Sequence, residues 1–178
     1  MRYILGFDGG GTKTECVLMN SDHQILARTY AGPSNPSRIG VEAAARAIEQ
    51  AARFALKEAG LERSAIVAIG AGLAGTAKPD MKQRMTLALQ DSFLSATITV
   101  LTDLEAALAA AGEGPSIVLV AGTGSAAIGC NAQFVRRCIP MVDDASVEMF
   151  LPQAEPAPCA GQISTSSGSV RIFVRSES

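Results

Sequence analysis

Ten residues near the N-terminus combine three consecutive glycines with one acid, one lysine and two threonines, in the order GFDGGGTKTE (residues 6–15). Such a set can hold phosphate, because glycines let backbone N–H groups turn toward an anion and let the anion approach closely. The P-loop pattern G-x-x-x-x-G-K-[ST] is not met, since Thr12 separates Gly11 from Lys13. The residues are equally compatible with a plain glycine hairpin in which Asp8 forms the turn.

The elements around these glycines also differ from those of a P-loop, which joins a strand to a helix. Residues 3–7 form an apolar run of strand length, and residues 14–19 are rich in β-forming side chains. A third strand is predicted over residues 24–30, before the proline-containing loop GPSNPS (residues 32–37). The sequence therefore predicts a three-stranded meander with the glycines at the tip of its first hairpin.

A second glycine turn occurs later in the chain. Residues 116–121 predict a strand and residues 126–128 a shorter one. Two such hairpins, each with hydroxyl side chains at its tip, could grip one polyphosphate from opposite sides. The residues of this second turn are Gly122, Thr123, Gly124 and Ser125.

The segment between the two turns predicts alternating helices and strands. Apolar residues keep helical spacing from Val41 to a C-terminal cap signal at Gly60. A buried strand is expected over residues 65–69, a helix over residues 80–89 and another strand over residues 97–101. Alternation of this kind is typical of an α/β fold.

The segment GAGLAG (residues 70–75) fits the dinucleotide-binding pattern G-x-G-x-x-G. In a dinucleotide-binding fold the third glycine lies in the first turn of a helix. Here Pro79 indicates a helix that starts several residues later, because proline prefers the first helical position. The pattern therefore favours a tight loop at the end of a strand over a dinucleotide site.

Asp103 has two interpretations. It stands in TDLE (residues 102–105), a capping box that predicts a helix start, where an acid is stabilised by the helix dipole. It also directly follows a predicted strand, and open α/β sheets bind their ligands at the carboxyl ends of strands. Spacing alone does not decide between these interpretations.

Composition excludes several classes of function. The chain has 178 residues, 48% of them hydrophobic, and a formal net charge of −2, which argues against nucleic acid as a partner. Four cysteines without a C-x-x-C pair and a single histidine argue against a zinc site and a Ser/His/Asp triad. No apolar stretch is long enough to span a bilayer. We expect a cytoplasmic protein without a membrane partner.

Five motifs together carry a family resemblance: GFDGGGTKTE, GPSN, GLAGTAKPD, TDLEAALAA and VAGTGSAAIG, in this order. In these motifs the chain resembles the N-acetylglucosamine and glucosamine kinases and the related BadF/BadG/BcrA/BcrD ATPases. These proteins belong to the actin, hexokinase and Hsp70 superfamily. The resemblance covers residues 2–129.

The resemblance implies an α/β fold with an RNase H-like (actin-like ATPase) lobe built on a mixed sheet. Residues 1–112 would form this N-terminal lobe, with the first phosphate loop and the sugar site. Residues 113–178 would contain the start of a second lobe, with the second phosphate loop, and an irregular tail.

The resemblance also implies roles for individual residues. Asp103 would be the general base that accepts a proton from the attacking sugar hydroxyl, and Asn35 and Gly75 would contact the amino sugar. Asp8 would help to hold Mg²⁺, often through water. The residues expected to approach the phosphates of ATP are Gly9, Gly10, Gly11, Thr12 and Lys13 in the first loop, and Gly122, Thr123, Gly124 and Ser125 in the second.

Two departures from the family pattern bear on activity. Ala74 replaces a serine found beside the sugar in the N-acetylglucosamine branch, which leaves the acceptor sugar open. After Gly129 the family pattern dissolves, so we expect a truncated or frameshifted copy that is poorly active alone.

Three functions follow from these observations. The first is ATP-dependent phosphorylation of an amino sugar. The second is an ATPase that activates a reductase, which needs cysteines to bridge an iron–sulfur cluster across a dimer. The third is a non-catalytic fragment that could form a homodimer through the alanine-rich residues 106–111.

Overall fold

The computed structural model describes residues 2–111, 116–121, 125–130, 136–141, 161–165 and 168–176. Residue contacts divide the chain into two compact units, Met1–Asp103 and Leu104–Ser178. The assignment of residues 1–112 and 113–178 as functional lobes stays a prediction.

The first unit is built on a mixed five-stranded sheet. Its strands lie in the order β3-β2-β1-β4-β5. The first three strands are antiparallel neighbours, and β4 and β5 run parallel to β1. The predicted meander and the mixed sheet are confirmed. The strands are β1 (Tyr3–Gly9), β2 (Thr14–Asn20), β3 (Ile25–Ala31), β4 (Ile66–Leu73) and β5 (Thr97–Leu101).

Four helices accompany the strands: α1 (Pro36–Ile39), α2 (Val41–Ala59), α3 (Pro79–Ser92) and α4 (Asp103–Ala110). Helix α2 has the predicted bounds, and it ends because Gly60 adopts the left-handed conformation, with φ of 66°. Helix α1 begins inside the predicted loop GPSNPS and continues beyond it to Ile39. It forms because Asn35 caps it and Pro36 occupies its first turn.

Helices α2 and α3 cover one face of the first sheet. Both crossovers, from β3 to β4 and from β4 to β5, join parallel strands, and right-handed crossovers place their helices on the same face. The buried residues alternate along β1, β2 and β3, and they pack with the apolar stripe of α2 in one core. Members of this core include Leu5, Leu18, Ile48, Ile69 and Leu89.

Strand β4 is longer than the sequence indicates. Residues 70–73 were expected in a tight loop, yet they continue the strand, with Gly70 paired to Gly6 and Gly72 paired to Asp8. The difference arises because β4 lies between two strands, whose hydrogen bonds outweigh the local turn preference of glycine. The helix after this segment begins at Pro79, as predicted.

The second unit contains a second five-stranded sheet with the order β8-β7-β6-β10-β9. Three antiparallel strands form a meander, and β10 runs parallel to β6. Leu108 and Ala111, from α4 and its end, pack with Val118 and Ile128. The strands are β6 (Ser116–Ala121), β7 (Ser125–Cys130), β8 (Arg136–Met141), β9 (Gly161–Thr165) and β10 (Gly168–Ser176).

The strands of the C-terminal part differ from expectation. The sequence predicted an irregular tail, whereas β8, β9 and β10 are present. Strand β10 pairs in parallel with β6, which is distant in sequence, and such pairing leaves little local sequence signal. Strands β8 and β9 pair with their neighbours in sequence, β7 and β10. In the described part of the chain, no helix is long and apolar enough to cross a membrane.

Candidate active site

The predicted functional residues of the first unit lie at one edge of its sheet. Strands β1, β4 and β5 are parallel, so their carboxyl ends meet at this edge. Asp8, Gly72 and Leu101 form one row across the three strands. Because neighbouring strands are about 4.8 Å apart, the backbones of Asp8 and Leu101 lie about 10 Å apart. Asp103 follows two residues after this row.

The glycine loop, residues 9–13, is tied to two other loops. Gly9 O accepts a hydrogen bond from Ala74 N at 2.9 Å, and Gly10 O accepts one from Ser34 N at 3.0 Å. Gly10 N donates to Lys13 O at 3.0 Å, which closes the hairpin. The loop that follows β3 and the loop that follows β4 therefore both hold the glycine loop in place.

Gly9 is required by packing. A Cβ on Gly9 would overlap the hydroxyl oxygen of Ser34 and the side chain of Leu73. Ser34 and Leu73 are both fully buried. The absence of a side chain at Gly9 thus lets three segments pack together.

The tip of the loop offers unused donors. Gly11, Thr12 and Lys13 are exposed, and among the described residues their backbone amides donate no hydrogen bond. Successive backbone amides without a partner are a feature of anion-binding turns, so this arrangement is compatible with the predicted phosphate loop. The Lys13 ammonium lies 5.9 Å from the centroid of the Tyr30 ring.

A buried hydroxyl pair supports the loop from below. Thr14 Oγ1 lies 2.7 Å from Gly32 O and 2.8 Å from Ser34 Oγ. Thr14 and Ser34 are both fully buried. These hydrogen bonds fasten the segment before α1 to the start of β2.

Asn35 and Gly75, the two predicted sugar contacts, lie against each other. Asn35 Oδ1 accepts a hydrogen bond from Ser37 N at 3.0 Å, and Ser37 Oγ donates to Gly75 O at 2.7 Å. A Cβ on Gly75 would collide with Asn35 Oδ1, and Gly75 has φ of 84°. The Asn35 amide nitrogen donates to none of the described residues. Asn35 therefore presents a fixed N–H₂ donor.

Thr76 connects the ends of β4 and β5. Its hydroxyl oxygen lies 2.7 Å from Leu73 O and 3.1 Å from Leu101 O. Thr76 is fully buried. This contact fixes the end of β5 just before Asp103, whose side chain is half-buried.

Asp8 is the predicted metal ligand. Its half-buried side chain is carried by β1 one residue before the glycine loop. The described residues contain no group of three or more His, Cys, Asp or Glu side chains that could hold a metal. One carboxylate beside a phosphate site fits Mg²⁺, which keeps several waters and is held by one or two carboxylates together with substrate phosphates.

The second predicted phosphate loop is only partly described. Gly122, Thr123 and Gly124 lie outside the described residues. Ser125 begins β7, and only its backbone is described.

Comparison with known proteins assigns the chain to a family. A sequence profile of the BadF/BadG/BcrA/BcrD ATPase family matches residues 5–143. The chain belongs to this family. Members are related to actin-like ATPases, so the α/β fold with an RNase H-like lobe, expected from the sequence motifs, is confirmed.

Amino-sugar kinases are among the BadF-type relatives. The N-acetylmuramic acid/N-acetylglucosamine kinase of Clostridium acetobutylicum is 30% identical over 134 residues, which are 75% of this chain and 44% of that protein. The glucosamine kinase GspK of Vibrio cholerae is 31% identical over 129 residues, which are 72% of this chain and 43% of that protein. The chain thus spans less than half the length of these curated relatives.

Solved structures show the same fold. A candidate N-acetylglucosamine kinase from Chromobacterium violaceum superposes with a TM-score of 0.65 at 31% identity, over 78% of this chain and 48% of that one. A reductive activator for a corrinoid, iron–sulfur protein superposes with a TM-score of 0.54 at 12% identity, over 78% of this chain and 31% of that one. At that identity the second likeness concerns the fold alone.

Sequence reasoning missed the residues that support the site. Ser34, Ser37 and Thr76 make the hydrogen bonds that join the loops, and none of them belongs to a catalytic pattern. A signal for α1 was present, because Asn35 followed by Pro36 is a helix-start signature. Ser34 and Thr76 leave no comparable local signal.

Proposed function

We propose that this chain is part of a kinase that transfers a phosphoryl group from ATP to an amino sugar, N-acetylglucosamine or glucosamine. The observation that carries the proposal is the placement of Asp8, Asn35 and Asp103 on the carboxyl side of parallel strands. It is supported by kinase relatives about one-third identical over most of the chain. Nothing in the described residues selects between the two sugars.

Each residue has a defined part in the proposed reaction. Asn35 donates an N–H to a sugar hydroxyl, and the amides of Gly11, Thr12 and Lys13 bind phosphate oxygens. Asp103 accepts the proton of the attacking sugar hydroxyl. At the same time the hydroxyl oxygen bonds to the γ-phosphorus, and the bond between the γ-phosphorus and ADP breaks. Mg²⁺, when bound beside Asp8, neutralises charge on the phosphates.

The residues that support the site determine how precisely the reacting groups are positioned. Phosphoryl transfer depends mainly on the position of the reacting groups and on charge stabilisation. The Thr76 hydroxyl fixes the end of β5, and the Ser37 hydroxyl fixes Asn35 against Gly75. Thr76 and Ser37 are therefore positioning residues.

The test of the base uses a completed kinase. The chain is joined to the second half of the clostridial relative, and ADP release is measured with N-acetylglucosamine and with glucosamine. We expect Asp103→Asn to lower kcat by about a hundredfold or more while sugar affinity changes little.

Asp80→Asn is the matched control. Asp80 is also an acid in the first turn of a helix, α3, and it is exposed. A loss of helix-dipole stabilisation alone would affect both variants similarly. If Asp103→Asn retains the rate of Asp80→Asn, the assignment of Asp103 as base is wrong.

The second candidate is activation of a reductase, which the shared fold of the corrinoid-protein activator favours. Such an activator needs cysteines that can ligate iron. Cys16 is fully buried, and burial raises the pKa of its thiol to about 12, while a side-chain hydrogen bond with Thr29 acts in the opposite direction. Cys16 is therefore a poor ligand. Iron analysis of anaerobically purified protein tests this candidate, since stoichiometric iron would favour it over the kinase.

The third candidate is a non-catalytic chain that binds sugar, which the fixed contact between Asn35 and Gly75 favours. Isothermal titration with amino sugars, combined with a phosphorylation assay of the unaltered chain, tests it. Sugar binding without ATP-dependent phosphorylation is the outcome that this candidate requires.

A further inference from the structure

A cation that no motif identified lies over the tip of the glycine loop. Arg38, on α1, places its guanidinium so close to Gly11 that a Cβ there would lie 2.7 Å from Nη1. Lys13, the cation indicated by the sequence, instead directs its ammonium toward Tyr30. The positive charge beside the open amides of the loop is therefore supplied by Arg38.

The guanidinium of Arg38 is available to a ligand. Within the described ranges it makes no ion pair and no side-chain hydrogen bond, and the residue is exposed. A free guanidinium presents several N–H donors in a planar fork that matches two phosphate oxygens. Next to it lies Gly11, whose amide, like those of Thr12 and Lys13, donates to none of the described residues.

The backbone that carries Arg38 is held in place. Ser34 N bonds to Gly10 O, and Thr14 Oγ1 bonds to Ser34 Oγ. Ser37, the residue before Arg38, bonds to Gly75 O. The long side chain can move while its attachment point stays fixed between the glycine loop and Asn35.

We propose that Arg38 binds the terminal phosphate of a polyphosphate seated on the amides of Gly11, Thr12 and Lys13. This inference rests on the proposed kinase function. In the proposed kinase, the guanidinium would lie beside Gly11 in the glycine loop, on a backbone that also carries the predicted sugar contact Asn35 three residues earlier. There it would stabilise the charge of the terminal phosphate.

Chemical footprinting tests the placement in the unaltered chain. Phenylglyoxal modifies accessible guanidinium groups, and mass spectrometry measures the rate at each arginine. We expect tripolyphosphate with Mg²⁺ to slow modification of Arg38 several-fold and to leave Arg46, an exposed arginine on α2, unchanged. Equal rates at Arg38 with and without tripolyphosphate would overturn the inference.

Binding measurements with variants test how much Arg38 contributes to the affinity for polyphosphate. We expect Arg38→Gln to raise the Kd for tripolyphosphate roughly tenfold or more, and Arg38→Lys to give an intermediate value, because lysine keeps the charge without the fork. Arg46→Gln removes the same charge from α2 and should change the Kd less than about twofold. The Kd for glucosamine should stay constant in Arg38→Gln.

The outcomes separate this inference from the function on which it rests. If the unaltered chain binds tripolyphosphate and Arg38→Gln behaves like Arg46→Gln, the inference is wrong and the kinase proposal stands. If the unaltered chain binds no tripolyphosphate at millimolar concentration, the assignment of the glycine loop as a phosphate site is wrong, and the inference with it.

Discussion

Three adjacent glycines have different functions in the glycine loop. Gly9 makes room for Ser34 and Leu73, and Gly10 supplies backbone groups that close the hairpin. Gly11 lies at the exposed tip under Arg38. A substitution at Gly9 should therefore damage the fold, whereas one at Gly11 has only a flexible side chain to displace.

Gly75→Ala should destabilise the first unit and weaken sugar binding. The substitution forces alanine into the left-handed region and drives its Cβ into Asn35 Oδ1. Gly60→Ala is a matched control, since Gly60 has φ of 66° but no atom within 4 Å of its Cβ position. We expect about 1–2 kcal/mol for the control and at least about 1 kcal/mol more for Gly75→Ala. Urea denaturation measures both, and equal losses would contradict the contact with Asn35.

The buried thiol of Cys16 should make stability depend on alkaline pH. Burial raises its pKa from 9.0 to about 12, so the folded state keeps the thiol neutral after the unfolded chain has ionised. The contribution of the neutral Cys16 thiol to the free energy of unfolding is complete below pH 9 and is lost as the pH rises toward 12. The free energy of unfolding should fall by no more than about 1.4 kcal/mol per pH unit from this cause.

Comparison of unfolding free energies of the unaltered chain and Cys16→Ala between pH 8 and 10.5 isolates this effect from other alkaline titrations. The difference between the two should shrink as the pH rises. A constant difference would show that Cys16 ionises alike in both states.

At the scale of elements, the loops after β3 and β4 position the glycine loop. The hydroxyl of Thr14 contributes through its hydrogen bonds with Gly32 O and Ser34 Oγ. Thr14→Val keeps the shape but leaves Gly32 O and the buried Ser34 hydroxyl with one partner fewer. We expect a loss of about 1–3 kcal/mol in the free energy of unfolding. Thr99→Val, on the exposed side of β5, should cost far less. Similar losses in the two variants would mean that the buried pair contributes little.

Local patterns predicted most of the first sheet, because its strands and α2 have clear periodicity and end at glycine or turn residues. Local patterns failed where pairing between strands, rather than local sequence, determines the structure. Residues 70–73 have the composition of a loop but are strand, since they lie between β1 and β5. Strand β10 depends on its parallel pairing with β6, which is distant in sequence and leaves little local signal.

The residue types of the candidate site could be predicted from the sequence, whereas most of its side-chain contacts could not. Asp8 and Asp103 could be named because carboxylates at strand ends are a familiar arrangement. The hydrogen bonds of Ser34 and Thr76 join residues 20 and 25 positions apart. The position of Arg38 over Gly11 likewise depends on the path of α1, whose start is signalled by Asn35 and Pro36 but whose packing against the glycine loop is not.

At the scale of the whole molecule, the two units share a plan. Each sheet starts as a three-stranded antiparallel meander whose first strand then accepts a parallel neighbour from later in the chain. The glycine turn follows the first strand of the meander in the first unit.

This strand order has a consequence for the sequence of folding events. Adjacent strands of the meander are joined by short connections such as residues 10–13, whereas β4 reaches β1 only after residues 32–65. A connection about eight times longer costs about 2 kcal/mol more in closure entropy. The hairpins should therefore assemble before the parallel pair, and deuterium pulse labelling during refolding should protect amides of β2 and β3 earlier than those of β5. Simultaneous protection would instead indicate that α2 and β4 dock in the rate-limiting nucleus.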